Sequence, residues 1–180
     1  MDIKQSLMDK SADLIKKAAI LPSIDIKWQP TIEINCSLLT DRPAFIKTKT
    51  LDVFEDFKDH PAIYFYKIKG EIDSKTVVDA LQSYKDKKER SCPKIDKGRS
   101  LDSRYLYCGS RKEGLHGRFI QHLGFGSKNT YSLQLAHWAQ ESQLVLEYNY
   151  AWLDLKYVDY TELVESALAI KIKPLVGKIA

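Results

Sequence analysis

The chain is short of cysteine and has no long apolar run and no repeat, and each shortage closes off a class of protein. Among its 180 residues there are three cysteines, Cys36, Cys92 and Cys108. They are odd in number and far apart, so they form neither a CxxC zinc spacing nor a disulfide ladder. Three reduced thiols are expected, with Cys108 buried in a strand. No apolar stretch approaches the roughly 18 residues that cross a bilayer. The first 22 residues, MDIKQSLMDKSADLIKKAAILP, alternate charged and apolar types and lack an uninterrupted signal-peptide core. A cytoplasmic protein is the expectation. Neither an internal repeat nor a low-complexity tract interrupts a composition that is 44% hydrophobic and 11% aromatic, which is that of a globular domain.

Charge is modest in total and uneven in distribution. The net value is +4, and the segment from Tyr84 to Arg99 alone carries that excess. Lys85, Lys87, Lys88, Arg90, Lys94, Lys97 and Arg99 outnumber Asp86, Glu89 and Asp96 there. Such a segment, with Arg111 beyond it, can neutralise backbone phosphates and steer a nucleic acid inward. The plainer alternative is a solvated loop.

Periodicity divides the chain into an N-terminal helix and extended arm over 1–50 and a compact domain over 51–180. Residues 2–20 have helical spacing, ended by Pro22. The pieces IDIKW, TIEINC and FIKTKT read as extended, broken by Pro30 and Pro43, and suit edge strands or an ordered arm. AIYFYKI (62–68) alternates aromatic and β-branched residues as a strand does. Ser74 is placed to cap a helix over 75–85 whose buried face is Val77, Val78, Leu81 and Tyr84. RYLYCG forms a second strand ended by Gly109. A helix follows between Gly114 and Gly124, then a helical stretch around SLQLAHWAQ and a strand LVLEYNYAWL. A last helix is capped by Thr161 and limited by Pro174. This order predicts an α+β fold: a small three-stranded sheet flanked by helices.

Four groups of residues in this framework can carry chemistry. Arg118 and His122 lie four apart and face the same way; an Arg fork suits a phosphate, and a His can hold a phenol or relay a proton. Glu165 is a lone acid in an apolar helical run, with Glu162 as its rival. A single hard carboxylate, with substrate phosphate and waters, is a common way to hold Mg²⁺. Tyr64 and Tyr66 share one strand face, as do Tyr105 and Tyr107 by simple alternation, so one of each pair is free to be structural.

In this order the residues resemble the GIY-YIG endonuclease family. Ala62-Ile63-Tyr64 falls where that family has GIY, and Tyr107-Cys108-Gly109 where it has YIG. Arg118 and His122 resemble the Arg-x-x-x-His helix of its restriction-enzyme members, and Glu165 precedes Pro174 by nine residues, as in the family's Glu-to-Pro pattern. The resemblance covers about 60–178. Three departures accompany it: Ala62 replaces the first Gly, about forty residues separate the two tyrosine motifs, which makes 70–103 a helix and basic-loop insertion, and Gly177 stands where an Asn is usual. The resemblance implies a DNA endonuclease using Mg²⁺ or Mn²⁺, possessing catalytic Tyr64, Tyr107, Arg118, His122 and Glu165, with Glu165 as metal ligand. It also implies a restriction or defence role and a homodimer making two cuts. A nucleic-acid-binding module with an impaired site is the alternative, motivated by Gly177.

Overall fold

The computed structural model describes residues 3–40, 54, 57–96 and 99–178. The expected strand FIKTKT, Pro43, the domain start near Leu51 and Lys97 lie outside them. Alternating aromatic and branched residues build three strands, β3 (Ala62–Lys69), β4 (Tyr105–Arg111) and β5 (Val145–Trp152). The N-terminal arm contributes two more, β1 (Lys27–Trp28) and β2 (Ile32–Asn35), both antiparallel to β5. The result is α+β with a five-stranded antiparallel sheet, larger than the expected three because Ile24–Cys36 extends the sheet instead of leaving it. β3 is central, between β5 and β4, and β4 forms an edge.

Helices cover both faces. On one, α2 (Ser74–Asp86) buries Val77, Val78, Leu81 and Tyr84, as its spacing predicts, and α3 (Leu115–Leu123) buries Leu115, Phe119, Ile120 and Leu123. They enclose Tyr64, Tyr66, Ile68, Leu146, Tyr148 and Tyr150 from the sheet. On the other face, α4 (Thr161–Ile172) brings Val164 against Ile63, Ala151 and Leu153. The N-terminal α1 (Ile3–Ile20) follows its helical spacing but buries none of its residues. Among the described residues no helix is long and apolar enough to cross a membrane. All three cysteines are free and buried; burial pushes the Cys36 and Cys108 thiols up to about 12.

Several local expectations need correction. Ser74 and Thr161 do not cap their helices; each is the first helical residue, and each hydroxyl donates to a carbonyl, of Ser103 and Val158 respectively. Asp73 caps α2 instead, accepting from the Thr76 amide. The stretch SLQLAHWAQ makes only a short turn at Leu135–His137, because Gln134 adopts a left-handed backbone with φ of 55°. β4 does not end at Gly109 but continues to Arg111. The pairing of β3 with β4 shifts register between Tyr66 and Lys67. Tyr105 therefore packs on Phe65 and Tyr107 on Tyr64, on opposite faces, contrary to simple alternation.

Tyr66 and Tyr148 are fully buried, 4.9 Å apart by ring centroids, and neither hydroxyl has a hydrogen-bond partner among the described residues. Their rings carry the packing, while an orphaned buried hydroxyl costs on the order of 1 kcal/mol or more. Tyr66→Phe and Tyr148→Phe are thus each expected to raise the unfolding free energy by about 1 kcal/mol in urea denaturation. A loss of stability in both would show that the hydroxyls are satisfied.

Candidate active site

Tyr64 projects from central β3 beneath α3, and its hydroxyl is where the site begins. Gly109 lies directly opposite on β4. A Cβ at position 109 would fall 2.6 Å from the Tyr64 hydroxyl and 2.8 Å from Cζ, so the strand continues through a residue without a side chain because the phenol fills that volume. The hydroxyl lies 3.0 Å from His122 Nε2 and receives Arg118 Nε–H at 3.2 Å. His122 and Arg118 are one helical turn apart on α3, which explains their convergence on one oxygen.

The imidazole has a defined tautomer. The Leu133 amide donates to His122 Nδ1 at 3.1 Å, so Nδ1 is unprotonated and Nε2 carries the hydrogen. Burial, and then the Arg118 charge, hold His122 neutral, well below the ordinary imidazole range. Of its two expected roles, relaying a proton and holding a phenol, this geometry serves the second. Tyr64 thus accepts two hydrogen bonds, and its own proton points in the remaining direction. Burial pushes its phenol well above the ordinary value; Tyr107 adds to the rise and Arg118 opposes it. It rests as a neutral donor.

Arg118 is the hub. Nη2 donates to the Tyr131 carbonyl at 2.8 Å and to the Tyr107 hydroxyl at 3.4 Å, and Nη1 to Gln121 Oε1 at 3.1 Å. Burial disfavours its charge, but the two phenols outweigh that and raise it above the ordinary guanidinium value. Four of its five N–H groups are thereby engaged, and the two-pronged grip expected from sequence is not left open.

Glu165 approaches from the opposite face of the sheet. On α4 it accepts a hydrogen bond from Ser110 Oγ, one residue beyond Gly109 on β4. Because β4 is an edge strand, the two faces meet around it. A cavity of about 470 Å³ is lined by Tyr107 and Arg118 from one side and Glu165 from the other, with Lys85, Lys94 and Lys178 around them. An adjoining cavity of about 590 Å³ contains Glu165, Ser110, Glu162, Lys94 and Arg99. Both carboxylates therefore reach this cleft, but Glu165 is half-buried and anchored whereas Glu162 is exposed. Burial raises the Glu165 carboxyl; the Ser110 hydrogen bond opposes that, Glu162 adds to it and Arg118 opposes it. No group of three His, Cys, Asp or Glu side chains gathers among the described residues; the hard oxygens in this cleft are those of Glu165 and Glu162, which line one cavity.

The basic segment is not a free loop. The Arg90 guanidinium donates to the Gly126 carbonyl and Gln134 Oε1, Arg99 to the Pro174 and Gly177 carbonyls, and Lys85 to the Pro93 carbonyl. The Gly177 amide donates to the Lys94 carbonyl, and Ile95 bridges Val176. This stitching makes 92–96 and 174–178 one wall of the cleft. Lys94 is exposed along it; Lys88 is exposed on a neighbouring cavity outside the wall, and Lys87 lines none of these cavities. Arg111 lies at the far end of β4, tied to the Glu113 carbonyl. Gly177 has φ of 103°, in the left-handed region, and lies against the Tyr107 ring, 3.0 Å from where its own Cβ would be; a side chain there would need that ring to give way by a few tenths of an ångström. Tyr66 and Tyr105, the rival tyrosines, stay out of the cleft lining.

Ser110, Gln121 and Tyr131 were not foreseen. Gln121 follows Arg118 by one helical turn, a signal open to spacing arguments. Ser110 required knowing that β4 continues past Gly109, and Tyr131 contributes its backbone. Comparison with known proteins returns no matching family model, no matching curated protein and no matching solved structure.

Two measurements check this geometry. Gly109→Ala drives a methyl into the Tyr64 hydroxyl and is expected to cost about 1–3 kcal/mol of stability by denaturant unfolding; a neutral effect would contradict the close approach. In metal-free buffer, the folded protein keeps the Glu165 proton at pH values where the unfolded chain, with its ordinary value of 4.5, has released it. The folded state therefore loses stability from this group as pH rises through that window. Glu165→Gln is expected to gain on wild type over the same interval in urea unfolding, and parallel pH profiles would sink that assignment.

Proposed function

We propose that this protein is a divalent-metal-dependent DNA endonuclease of the GIY-YIG type, acting in the cytoplasm in restriction or defence. The observation that carries this reading is the single cleft in which Tyr107, Arg118 and Glu165 face one another, with Tyr64 and His122 directly behind. These are the residues that resemble the family's motifs, and they come from segments more than a hundred residues apart in the chain.

The reaction would be attack of water on a phosphodiester, forming a new P–O bond and breaking the P–O3′ bond, with a proton lost from the water and one gained from solvent by the departing oxygen, which leaves as the 3′-hydroxyl. Tyr107 presents its hydroxyl to a phosphate oxygen from the cleft wall. The Arg118 charge offsets the negative charge that builds up on the phosphoryl group, acting mainly through the field and through its one remaining N–H. Tyr64, already accepting from Arg118 and His122, is restricted to donating, so it orients water or phosphate in the resting state. Once deprotonated it would have a third acceptor direction, and the same two donors would stabilise the phenolate. His122 does not act as the base, since both of its ring nitrogens are occupied. Glu165, held by Ser110 and supported by Glu162, suits Mg²⁺ or Mn²⁺, which keeps several waters and needs only one or two carboxylates. When bound, that ion would supply Lewis-acid neutralisation of the phosphate and of the leaving oxygen. Lys94 on the stitched wall and Lys88 on the neighbouring cavity would contact flanking phosphates, giving affinity without sequence readout.

The test is cleavage of supercoiled plasmid and linear DNA with Mg²⁺, Mn²⁺ or EDTA. Wild type is expected to cut only with metal, Arg118→Ala about 10²–10³-fold more slowly, and Glu165→Ala not at all. Mg²⁺ should also raise the melting temperature of wild type and leave that of Glu165→Ala unchanged. DNA binding without metal-dependent cleavage on varied DNA would replace the nuclease with a binding module in which Gly177 marks the loss of function. Cleavage that survives Glu165→Ala would remove Glu165 as the ligand.

A further inference from the structure

The exposed ring of Tyr131 is the feature that the reaction leaves unused. It is 71% exposed. Its backbone carbonyl is held by Arg118 Nη2 at 2.8 Å, so the main chain from which the ring projects has a fixed relation to the guanidinium. The side chain stands on the border between the Arg118–Glu165 cavity and an outer cavity of about 400 Å³, and it lines both.

The loop that presents it is pinned at many points. Ser132 Oγ donates to the Gln121 carbonyl at 2.9 Å, Gln134 Nε2 to the Thr130 carbonyl at 3.1 Å, and the Leu133 amide to His122. The Ser91 amide donates to the Lys128 carbonyl at 2.8 Å, and Arg90 closes on Gly126 and Gln134. A large aromatic held in solvent on a rigid loop loses little freedom when something stacks on it. The outer cavity beside it is predominantly basic: Lys85, Lys88, Arg90 and Lys128 stand against Glu89 alone. Lys88 and Lys128 make no ion pair among the described residues. Asn129 and Ser91 add groups that can donate and accept at a base edge.

Resting on the nuclease reading, we propose that Tyr131 is a stacking platform for an unpaired nucleobase one step from the scissile phosphate, with Lys88 and Lys128 holding the adjoining phosphates. The reason for an unpaired base is steric. In an intact duplex each base face is covered by its neighbours, and a ring standing beside the backbone reaches one only when the base has left the stack. The preferred substrate is therefore DNA that is single-stranded, or that carries or readily releases an unpaired nucleotide at the cut site, with intact duplex cut less readily. Base stacking on an aromatic tolerates any sequence, since every base has a π-face.

The experiment measures fluorescence anisotropy in EDTA, where no cutting occurs, on three labelled DNAs: a single strand, a blunt duplex, and that duplex with one unpaired nucleotide. Wild type is expected to bind the first and third more tightly than the second. Tyr131→Ala should weaken binding to those two by about 5- to 100-fold, leaving the blunt duplex and the melting temperature unchanged. Tyr131→Phe should stay within about twofold of wild type, because the ring and not the hydroxyl carries the contact. If Tyr131→Ala binds all three DNAs like wild type, or Phe loses as much as Ala, while wild type still cuts DNA with Mg²⁺, the platform is refuted and the nuclease stands. If wild type binds none of the three and cuts nothing with either metal, both readings fall together.

Discussion

The hydroxyl of Tyr64 occupies the space that a side chain at position 109 would take, and three otherwise separate features depend on that occupancy. Gly109 on the neighbouring strand admits the phenol, Arg118 and His122 on α3 both donate to its oxygen, and the Leu133 amide fixes which imidazole nitrogen can do so. Each contact constrains the next. The Leu133 amide sets the tautomer, the tautomer makes His122 a donor, and a second donor from Arg118 leaves the phenol's hydrogen the one remaining direction. Hydrogen bonds coupled in this way in a buried site rigidify their surroundings more than the separate bonds would suggest.

The edge position of β4 supplies the second constraint. A carboxylate on one face of a sheet and a guanidinium on the other are ordinarily separated by the sheet itself. Here the separation ends at the outermost strand, where Tyr107 faces Arg118 and Ser110 faces Glu165, with a residue lacking a side chain almost between them. The C-terminal segment covers the rest of that edge, its Leu175 and Val176 amides donating to the Tyr105 and Leu106 carbonyls. An exposed edge would otherwise invite pairing with another chain.

What sequence could reveal and what it could not divide along physical lines. Among the described residues, the three long strands and the helices α2, α3 and α4 follow from periodicity because each hides a face, and α2 buries the four residues its spacing selects; α1 has the spacing without the burial. Arg118 and His122 were legible as a pair for the same reason. The register shift at Tyr66 was not, since a bulge leaves no mark in the alternation of side chains, and it alone separates Tyr105 from Tyr107. The stretch around Trp138 has helical spacing but wraps as a loop: the Trp138 indole donates to the Leu133 carbonyl, and Gln134 turns left-handed. The basic residues of 85–99 were legible as charge, yet Arg90 and Arg99 prove to be braces for backbone carbonyls. Charge counts do not distinguish a side chain that greets a ligand from one that fastens a loop.

The wall formed by residues 174–178 has a consequence for how the molecule comes into being. Synthesis proceeds from the N-terminus, so Tyr64, Tyr107 and Arg118 emerge from the ribosome well before Gly177, which closes on the Tyr107 ring and holds the Lys94 carbonyl. Contacts that span so much of the chain form late in folding. A growing polypeptide therefore carries Tyr64, Tyr107 and Arg118 without the enclosure that organises them, and the cleft takes shape only once residues 174–178 dock on β4.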